Sequence, residues 1–318
     1  FGAVSSKKRC TVSWNGKDDK GADYEGEFRL KIMADGYTTR NWHYYDCYAK
    51  SPFLGGTGTR ENPYQVASAE HLERMADFRS RHFIQVQDID LRSELISRIF
   101  SAEQPFMGSY NAKPNGQGYR ILNYNGNTSL FGVIGVEGEL DGVAVYDARI
   151  TGTGQNRSAV LAEVNQGMIM NCMVEQAVIY SASATEAALL AVENKGVVDR
   201  CIVHGSVYTY GSMAGAVVYN DQRMVRTKVE AELNLSAADS VEGAKELYVG
   251  GISAVNGQSA FIDACESNSV ILASGRLNGT AKACMGGIVG RNAGQIRDGG
   301  SLGMFPPEDT GGLIGNAL

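Results

Sequence analysis

The sequence predicts an all-β solenoid in which short strands form coils that stack along one axis. The pattern running from Asn165 to Val178 is repeated from Asn194 to Val207, a displacement of 29 residues (194 − 165). Within each copy, apolar residues recur at spacings of two, as they do in strands with one buried face. Further copies follow along the chain, and a fixed period in this range is the signature of a stacked repeat protein.

The composition limits the classes of protein to which the chain can belong. With 318 residues, it is long enough for two ordinary domains or one long solenoid. Its 39 glycines favour many tight turns, and its 6 prolines are too few for a disordered linker. The net charge of −6 argues against a nucleic-acid partner held through phosphate contacts. No run of about 18 apolar residues is visible, so the sequence predicts no membrane span. No signal peptide is visible either, and a trimmed chain would look the same.

Residues 1–53 are predicted to form a small β domain. Residues 28–32 alternate in character, and the stretch from Tyr37 to Tyr48 is dense in aromatic residues. These aromatics are either the core of a small sheet or an exposed binding strip. Cys10 and Cys47 lie in this segment, and whether they form a disulfide depends on the compartment, which the sequence leaves open.

Residues 54–128 are predicted to cap the solenoid, with a helix over about residues 69–80. Ser68 is a favourable N-cap residue, and Glu70 complements the positive end of the helix dipole. Leu72, Met75 and Ala76 fall at helical spacing, which gives the helix one apolar face. A helix placed just before a stack of strands is expected to cover the first open edge.

Residues 129–318 are predicted to form the stacked coils, each made of about three short strands. An asparagine recurs once per copy, and its amide can bond to the next asparagine in the stack while its backbone turns a corner. Cysteine recurs at one interior position, which predicts a column of small apolar side chains. These scaffold positions are Asn165, Asn194, Asn220, Asn256, Asn292, Cys172, Cys201 and Cys265.

The later copies are longer, and the excess is predicted to leave the coil as loops. The asparagine spacing is 26 (220 − 194), then 36 (256 − 220) and 36 (292 − 256). The candidate insertions span residues 237–246 and 273–280. Loops on a rigid scaffold are where recognition usually resides. The candidate binding residues are therefore Asp239, Glu242, Lys245, Arg276 and Asn278.

A search for chemistry predicts a non-catalytic chain that needs no metal and no cofactor. HExxH, GxSxG and phosphate-binding GxxxxGK[ST] motifs are all absent from the sequence. Polysaccharide cleavage would need clustered carboxylates, and Asp199, Asp263 and Glu266 do not recur at one position in adjacent coils. Asp88 and Asp90 are spaced like a calcium pair, but turn capping explains them better.

The chain also resembles a known family over roughly residues 54–318. The opening from Gly56 to Val66, with Asp88-Ile89-Asp90-Leu91, is similar to that of bacterial surface proteins with GLUG-type repeats. Ser129 to Gly135, Met285 to Gly290 and Thr310 to Gly315 are similar to the repeats themselves. The copies around residues 161 and 190 depart from the family, since alanine or leucine replaces the usual glycine pair.

The resemblance implies a right-handed parallel β-helix in a secreted or surface-attached bacterial protein, and it brings no catalytic residues. The expected function is non-catalytic and adhesin-like, in which the chain binds a host or matrix glycan or protein and no nucleic acid. Covalent or lipid attachment to the cell surface would lie outside this chain. The alternatives are a polysaccharide lyase or glycosidase on the same scaffold, and a spacer in a larger secreted peptidase. The last copy stops short, so the natural chain is expected to continue beyond Leu318, or another element to cover it.

Overall fold

A computed structural model describes residues 17, 26–32, 43–49, 52–94, 96–152, 157–181, 186–236, 246–274, 282–302 and 312–314. Cys10 and the side chain of Cys47 lie outside this description, so it does not bear on the predicted disulfide. The aromatic side chains between Tyr37 and Tyr48 lie outside it as well. The same is true of the five candidate binding residues, Asp239, Glu242, Lys245, Arg276 and Asn278.

The described elements are short strands, one α-helix and two 3-10 turns. The helix is α1 (Ala69–Arg74), and the 3-10 turns span Met75–Phe78 and Pro114–Gly116. The strands before the repeats are β1 (Gly26–Ile32), β2 (His43–Ala49), β3 (Tyr64–Val66), β4 (His82–Gln85), β5 (Ile89–Asp90), β6 (Ser109–Asn111), β7 (Arg120–Leu122) and β8 (Asn125–Gly126). The next strands are β9 (Gly132–Ile134), β10 (Glu139–Asp141), β11 (Ala144–Tyr146), β12 (Arg149–Thr151), β13 (Arg157–Ala159), β14 (Ala162–Asn165), β15 (Met168–Met170), β16 (Met173–Ser181), β17 (Glu186–Ala188), β18 (Ala191–Asn194), β19 (Val197–Asp199), β20 (Ile202–Thr209), β21 (Ser212–Ala214) and β22 (Val217–Asn220). The last are β23 (Arg223–Val225), β24 (Lys228–Ser236), β25 (Glu246–Gly250), β26 (Ser253–Asn256), β27 (Phe261–Asp263), β28 (Glu266–Ser267), β29 (Val270–Ser274), β30 (Lys282–Asn292), β31 (Gln295–Arg297), β32 (Gly300–Ser301) and β33 (Gly312–Ile314).

From β3 onward the strands form a parallel β-helix, which confirms the predicted fold class. The first sheet has nine strands, in the order β3-β4-β6-β10-β15-β19-β23-β27-β31. The second and third sheets have eleven strands each, and the second runs through β11, β16, β20 and β24. Each coil visits all three sheets in turn, so every strand pairs with the equivalent strand of the next coil.

The predicted repeat matches the wrong residues at its C-terminal end. The repeat predicts that Val178 matches Val207, but Val207 pairs with Ile179, and Val178 pairs with Ser206. The cause is a bulge in β16, where Gln176 has a left-handed backbone with a φ of 54°. One extra residue on a strand exchanges its inward and outward faces. Ile179 is therefore buried, and Val178 faces outward.

The N-terminal end of the stack is filled by aromatic side chains and α1. Ser68 Oγ accepts a hydrogen bond from the backbone N–H of His71 at 3.2 Å, as expected for the N-cap. Leu72 and Met75 are fully buried against this end of the core. The helix is shorter than the predicted range of 69–80, because its last turn tightens into the 3-10 turn Met75–Phe78.

Ahead of the β-helix, β1 and β2 form an antiparallel pair. Gly26 pairs with Ala49, and Ile32 pairs with His43. The predicted strand at residues 28–32 is part of β1. Residues 11–14, which also alternate in character and predict a strand, lie outside the described residues.

A second, smaller apolar cluster lies on the opposite side of the third sheet from the main core. Ala187 faces the main core, while its neighbour Ala188 belongs to this second cluster. The third sheet bends tightly beside this cluster, and in the later coils glycine lies at the bend. A Cβ added to Gly250 would lie 1.8 Å from the carbonyl oxygen of Ser253. The cluster contains Ala159, Ala188, Val192, Ala214, Val218 and Ala254.

An ion network lies beside this bend. Arg157 reaches three carboxylates, with Nε of Arg157 3.1 Å from Glu186 and a closer contact to Glu193. Burial opposes the charge on Glu193, but hydrogen bonds from Lys195 and Arg157 outweigh it and hold the pKa of that carboxyl below its usual range. The network therefore couples neighbouring coils through charge.

Candidate functional site

The five predicted asparagines form one hydrogen-bonded ladder along the solenoid. Each Nδ2 donates to the Oδ1 of the next asparagine at 2.8 Å, from Asn165 through Asn194, Asn220 and Asn256 to Asn292. The first four are fully buried. Most also bond to backbone groups; Asn194 Nδ2, for example, donates to the carbonyl of Arg223 at 3.1 Å. The ladder is thus part of the scaffold and offers no side chain to a ligand.

The three predicted cysteines also lie in one interior column, and each thiol bonds to the backbone. Cys201 Sγ lies 3.5 Å from the carbonyl oxygen of Asp199, two residues earlier, and Cys172 and Cys265 repeat this contact. Thr227 takes the same position in the intervening coil, and its hydroxyl donates to Val225 at 3.1 Å. Val143 takes the equivalent buried position in the coil before Cys172, so the column accepts small side chains with or without a hydrogen-bond donor. Burial raises the pKa of the Cys265 thiol to about 11.

The carboxylates considered for chemistry are occupied by structural contacts. Asp90 Oδ1 accepts the backbone N–H of Arg92 at 3.0 Å and Nδ2 of Asn123 at 2.8 Å, which is turn capping. Asp199 is held by two nitrogens of Arg226 at 2.9 and 2.7 Å. Asp263 occupies the position equivalent to Asp199 two coils later, with Val225 between them. A lyase or glycosidase on this face remains a hypothesis.

The strands on either side of the two predicted insertions are at equivalent positions of successive coils. The predicted bounds are wrong by one or two residues, because Glu246 begins β25 and Ala273 and Ser274 end β29. Ser236 pairs with Ser274 where β24 and β29 end, and Glu246 pairs with Lys282 where β25 and β30 begin. The segments at 237–245 and 275–281 therefore join equivalent strand ends, between the second and third sheets.

Next to these strand ends, the second sheet presents an outward surface that we call the tyrosine face. Two neighbouring columns of side chains make it up, one residue from each of four coils in each column. Tyr180 and Tyr208 are stacked, with ring centroids 4.7 Å apart and an angle of 14° between planes. Tyr180 is 52% exposed and Leu272 is 41% exposed. The first column is Tyr180, Tyr208, Asn234 and Leu272, and the second is Val178, Ser206, Glu232 and Val270.

Polar groups are interleaved with the aromatic rings on this face. Asn234 Nδ2 donates to Glu232 Oε1 at 2.9 Å, which fixes the orientation of both side chains. Burial raises the pKa of Tyr208, and the nearby charge of Glu232 raises it further. The Tyr208 hydroxyl is therefore protonated at neutral pH and can donate as well as accept a hydrogen bond.

This combination suits recognition better than catalysis. Tyrosine, serine and asparagine on a rigid frame supply contact area and hydrogen bonds at low entropic cost, as they do in antibody binding sites. Sequence reasoning missed this face, since the repeat was aligned on its inward apolar positions, and the bulge at Gln176 hid the match between Tyr180 and Tyr208.

Two negative findings apply to the described residues. They contain no group of three or more His, Cys, Asp or Glu side chains placed to hold a metal ion. Within the same part of the chain, no helix has the length and apolar character needed to cross a membrane.

Solved structures support the fold. The chain is similar to a crystal structure of a candidate immunoglobulin A1 protease from Bacteroides ovatus, with a TM-score of 0.58 and 17% identity. That alignment covers 84% of this chain and 87% of the other. A structure described as IgA1 protease aligns with a TM-score of 0.56 and 12% identity, over 96% of this chain but only 24% of that one. At these identities the likeness establishes the fold alone.

Sequence comparison gives one partial relative. The chain is 36% identical over 140 residues to a candidate glycine-rich membrane protein of Evansella cellulosilytica. The match covers 39% of this chain and 16% of that protein. No family model matches the chain.

Proposed function

We propose that this chain is a non-catalytic extracellular region of a larger bacterial protein, in which a rigid β-helix presents the tyrosine face to a protein partner. The observation that carries the proposal is the outward-facing stack of Tyr180, which is exposed, on Tyr208, which is half-buried, on two neighbouring coils. Contiguous exposed apolar surface with a polar rim marks interaction sites. Tyrosine is also enriched among residues that dominate binding energy at protein interfaces.

The comparisons support the extracellular and accessory parts of this proposal. Both structural neighbours are named as immunoglobulin A1 proteases, and immunoglobulin A1 is a secreted antibody. The chain aligns over nearly its whole length with about a quarter of one of them, which fits a region that accompanies an activity located elsewhere. An adhesin-like role would use the same surface with a different partner.

We further propose that the coils belong with the GLUG-type repeats. The glycine pair Gly250-Gly251 lies in the tight bend of the third sheet, where added side chains meet backbone. A Cβ on Gly251 would lie 2.1 Å from the carbonyl oxygen of Gly287, the equivalent position one coil later. In the earlier coils the first position of the pair stays small, as in Ala188 and Ala214, whereas the second is Gly215 in one coil and Leu189 in the coil before it.

Binding of the purified chain to immunoglobulin A1, measured by biolayer interferometry, tests the protein-partner proposal. We expect saturable binding that Tyr180→Ala with Tyr208→Ala weakens at least about 10-fold, since interface tyrosines are common hot spots. Tyr119→Ala, a half-buried tyrosine in the N-terminal cap, is the matched control and should bind normally. Equal affinity of the double variant and the wild type would reject the tyrosine face.

The alternatives give different results in the same preparation. A spacer would bind neither immunoglobulin A1 nor a glycan array, and it would leave the larger protein active when shortened by whole coils. A polysaccharide lyase or glycosidase would release sugars from at least one member of a polysaccharide panel, and such release would contradict the non-catalytic proposal.

A further inference from the structure

A second surface, on the first sheet near the N-terminal end, carries an independent inference. A cleft of about 240 Å³ opens on the outer side of this sheet. Its charged and polar lining includes Arg60, His82, Ser109, Asn111, Glu139 and Asp141. The cleft lies on the first sheet and the tyrosine face lies on the second sheet, so the two surfaces are separate.

The strand register places three of these side chains in one row. His82 pairs with Ser109, and Ser109 pairs with Glu139, in three successive strands of the first sheet. Neighbouring strands lie ~4.8 Å apart, so the row spans roughly 10 Å. His82 Nδ1 lies 2.9 Å from Ser109 Oγ, so only the other ring nitrogen, Nε2, is available to a ligand. Asp141 is held from the side by Asn171 Nδ2 at 2.7 Å.

Two charged groups of the cleft, Arg60 and the row member Glu139, have no direct partner in the described part of the chain. Among the described residues, neither the Arg60 guanidinium nor the Glu139 carboxylate has a hydrogen bond or an ion pair. Burial lowers the pKa of His82, and the charge of Arg60 lowers it further, so the imidazole is neutral at pH 7. The cleft therefore offers one guanidinium, one carboxylate without a direct partner, a second carboxylate (Asp141) that already accepts a hydrogen bond from Asn171, and neutral donors and acceptors.

We propose that this cleft binds a single acidic sugar unit, with the sugar carboxylate on Arg60 and ring hydroxyls on the row His82, Ser109 and Glu139. A guanidinium pairs with a carboxylate through two parallel hydrogen bonds, which is the strong arrangement. A carboxylate such as Glu139 accepts hydrogen bonds from hydroxyls, and a neutral imidazole both donates and accepts. A neutral sugar would leave Arg60 unpaired, and a simple anion would leave the row unused.

Titration of the whole chain with methyl β-glucuronide, methyl β-glucoside and sodium acetate at pH 7 tests this inference, with binding followed by saturation-transfer NMR and calorimetry. We expect the glucuronide to bind with a Kd on the order of 1 mM, at least about 10-fold tighter than the other two ligands. Arg60→Ala should abolish the preference for glucuronide over glucoside. Glu139→Gln should weaken binding of both sugars. Arg92→Ala, an exposed arginine outside the cleft, should change nothing.

Three results would overturn the inference. They are equal binding of glucuronide and glucoside by the wild type, acetate binding as tight as glucuronide binding, and an unchanged preference in Arg60→Ala. Absence of binding up to about 10 mM glucuronide would count equally against it. The variant with Tyr180→Ala and Tyr208→Ala should bind the glucuronide normally, so failure of one proposal leaves the other standing.

Discussion

Replacement of Asn194 by leucine tests the asparagine ladder most directly, because leucine keeps the volume and removes every polar contact. Asn194 donates to Asn220 Oδ1 and accepts from Asn165 Nδ2, both at 2.8 Å, and it is fully buried. In the variant, Asn220 Oδ1 loses its donor. Asn165 Nδ2 keeps one partner, the carbonyl of Val197 at 3.1 Å.

The expected cost follows from these contacts. One buried acceptor left without a partner costs ~1–3 kcal/mol, and each other lost hydrogen bond costs ~1 kcal/mol. The free energy of unfolding should therefore fall by roughly 2–5 kcal/mol. In a chain of this size each kcal/mol lowers Tm by about 2 °C, so calorimetry or circular dichroism should show a Tm about 4–10 °C lower.

Position in the ladder provides an internal comparison. Asn165 Oδ1 has no partner among the described residues, so Asn165→Leu removes one ladder bond where Asn194→Leu removes two. Its effect on Tm should be smaller. Asn268→Leu, at an exposed position, should shift Tm by less than about 1 °C. A Tm for Asn194→Leu within 1 °C of wild type, or a reversed order of the two ladder variants, would refute the reasoning.

Three further predictions concern the corners, the ion network and the thiols. Gly196→Ala should lower Tm by several degrees, since its Cβ would lie 2.1 Å from a backbone carbonyl oxygen, whereas Gly118→Ala meets no atom within 4 Å and should be neutral. Arg157→Met should destabilise the fold by about 1–3 kcal/mol at pH 7. Because the pKa of Glu193 is depressed, its contribution is present above the unfolded value near 4.5 and is lost as pH falls, so the deficit should narrow by pH 3. Among the free thiols of the described residues, iodoacetamide at pH 8 should modify Cys284, which is partly exposed, before it modifies the buried thiols Cys172, Cys201 and Cys265.

Each of these has a result that would contradict it. Equal melting temperatures for Gly196→Ala and Gly118→Ala would show that the corner can relax. A stability deficit in Arg157→Met that stays constant from pH 7 to pH 3 would show that the charges of the network do not matter. Modification of Cys201 at the rate of Cys284, read by peptide mass spectrometry, would mean that the core opens readily.

Much of the scaffold could be predicted from the sequence, because stacking forces equivalent residues into equivalent environments. Asn165 and Asn194 recur for that reason, and their ladder follows from the repeat. The template fails at Val178, where one bulged residue reverses the facing of the strand while leaving the apolar composition unchanged. No local pattern reveals such a bulge, since its position depends on how the coil meets its neighbour.

The two candidate surfaces were beyond sequence reasoning for a different reason. Their residues come from separate coils and share no motif. His82 and Glu139 meet only because Ser109 lies between them in the strand register. Tyr180 and Tyr208 stand 28 positions apart, one short of the 29-residue period that guided the alignment. Outward positions also carry no repeated apolar signal, which leaves little to align.

The asparagine ladder also fixes the rotation of each coil about the solenoid axis. Consecutive asparagines are separated by 29, 26, 36 and 36 residues, yet every hydrogen bond between their side chains measures 2.8 Å. The asparagine of each coil therefore lies at the same angle about the axis, whatever the number of residues in the coil. Most of the extra sequence lies between β24 and β25 and between β29 and β30, and two more residues precede β27 (261 − 256 = 5 against 223 − 220 = 3), yet the coils that follow keep the same orientation. Insertions between these strands could therefore vary in length during evolution while the three sheets kept their orientation about the solenoid axis.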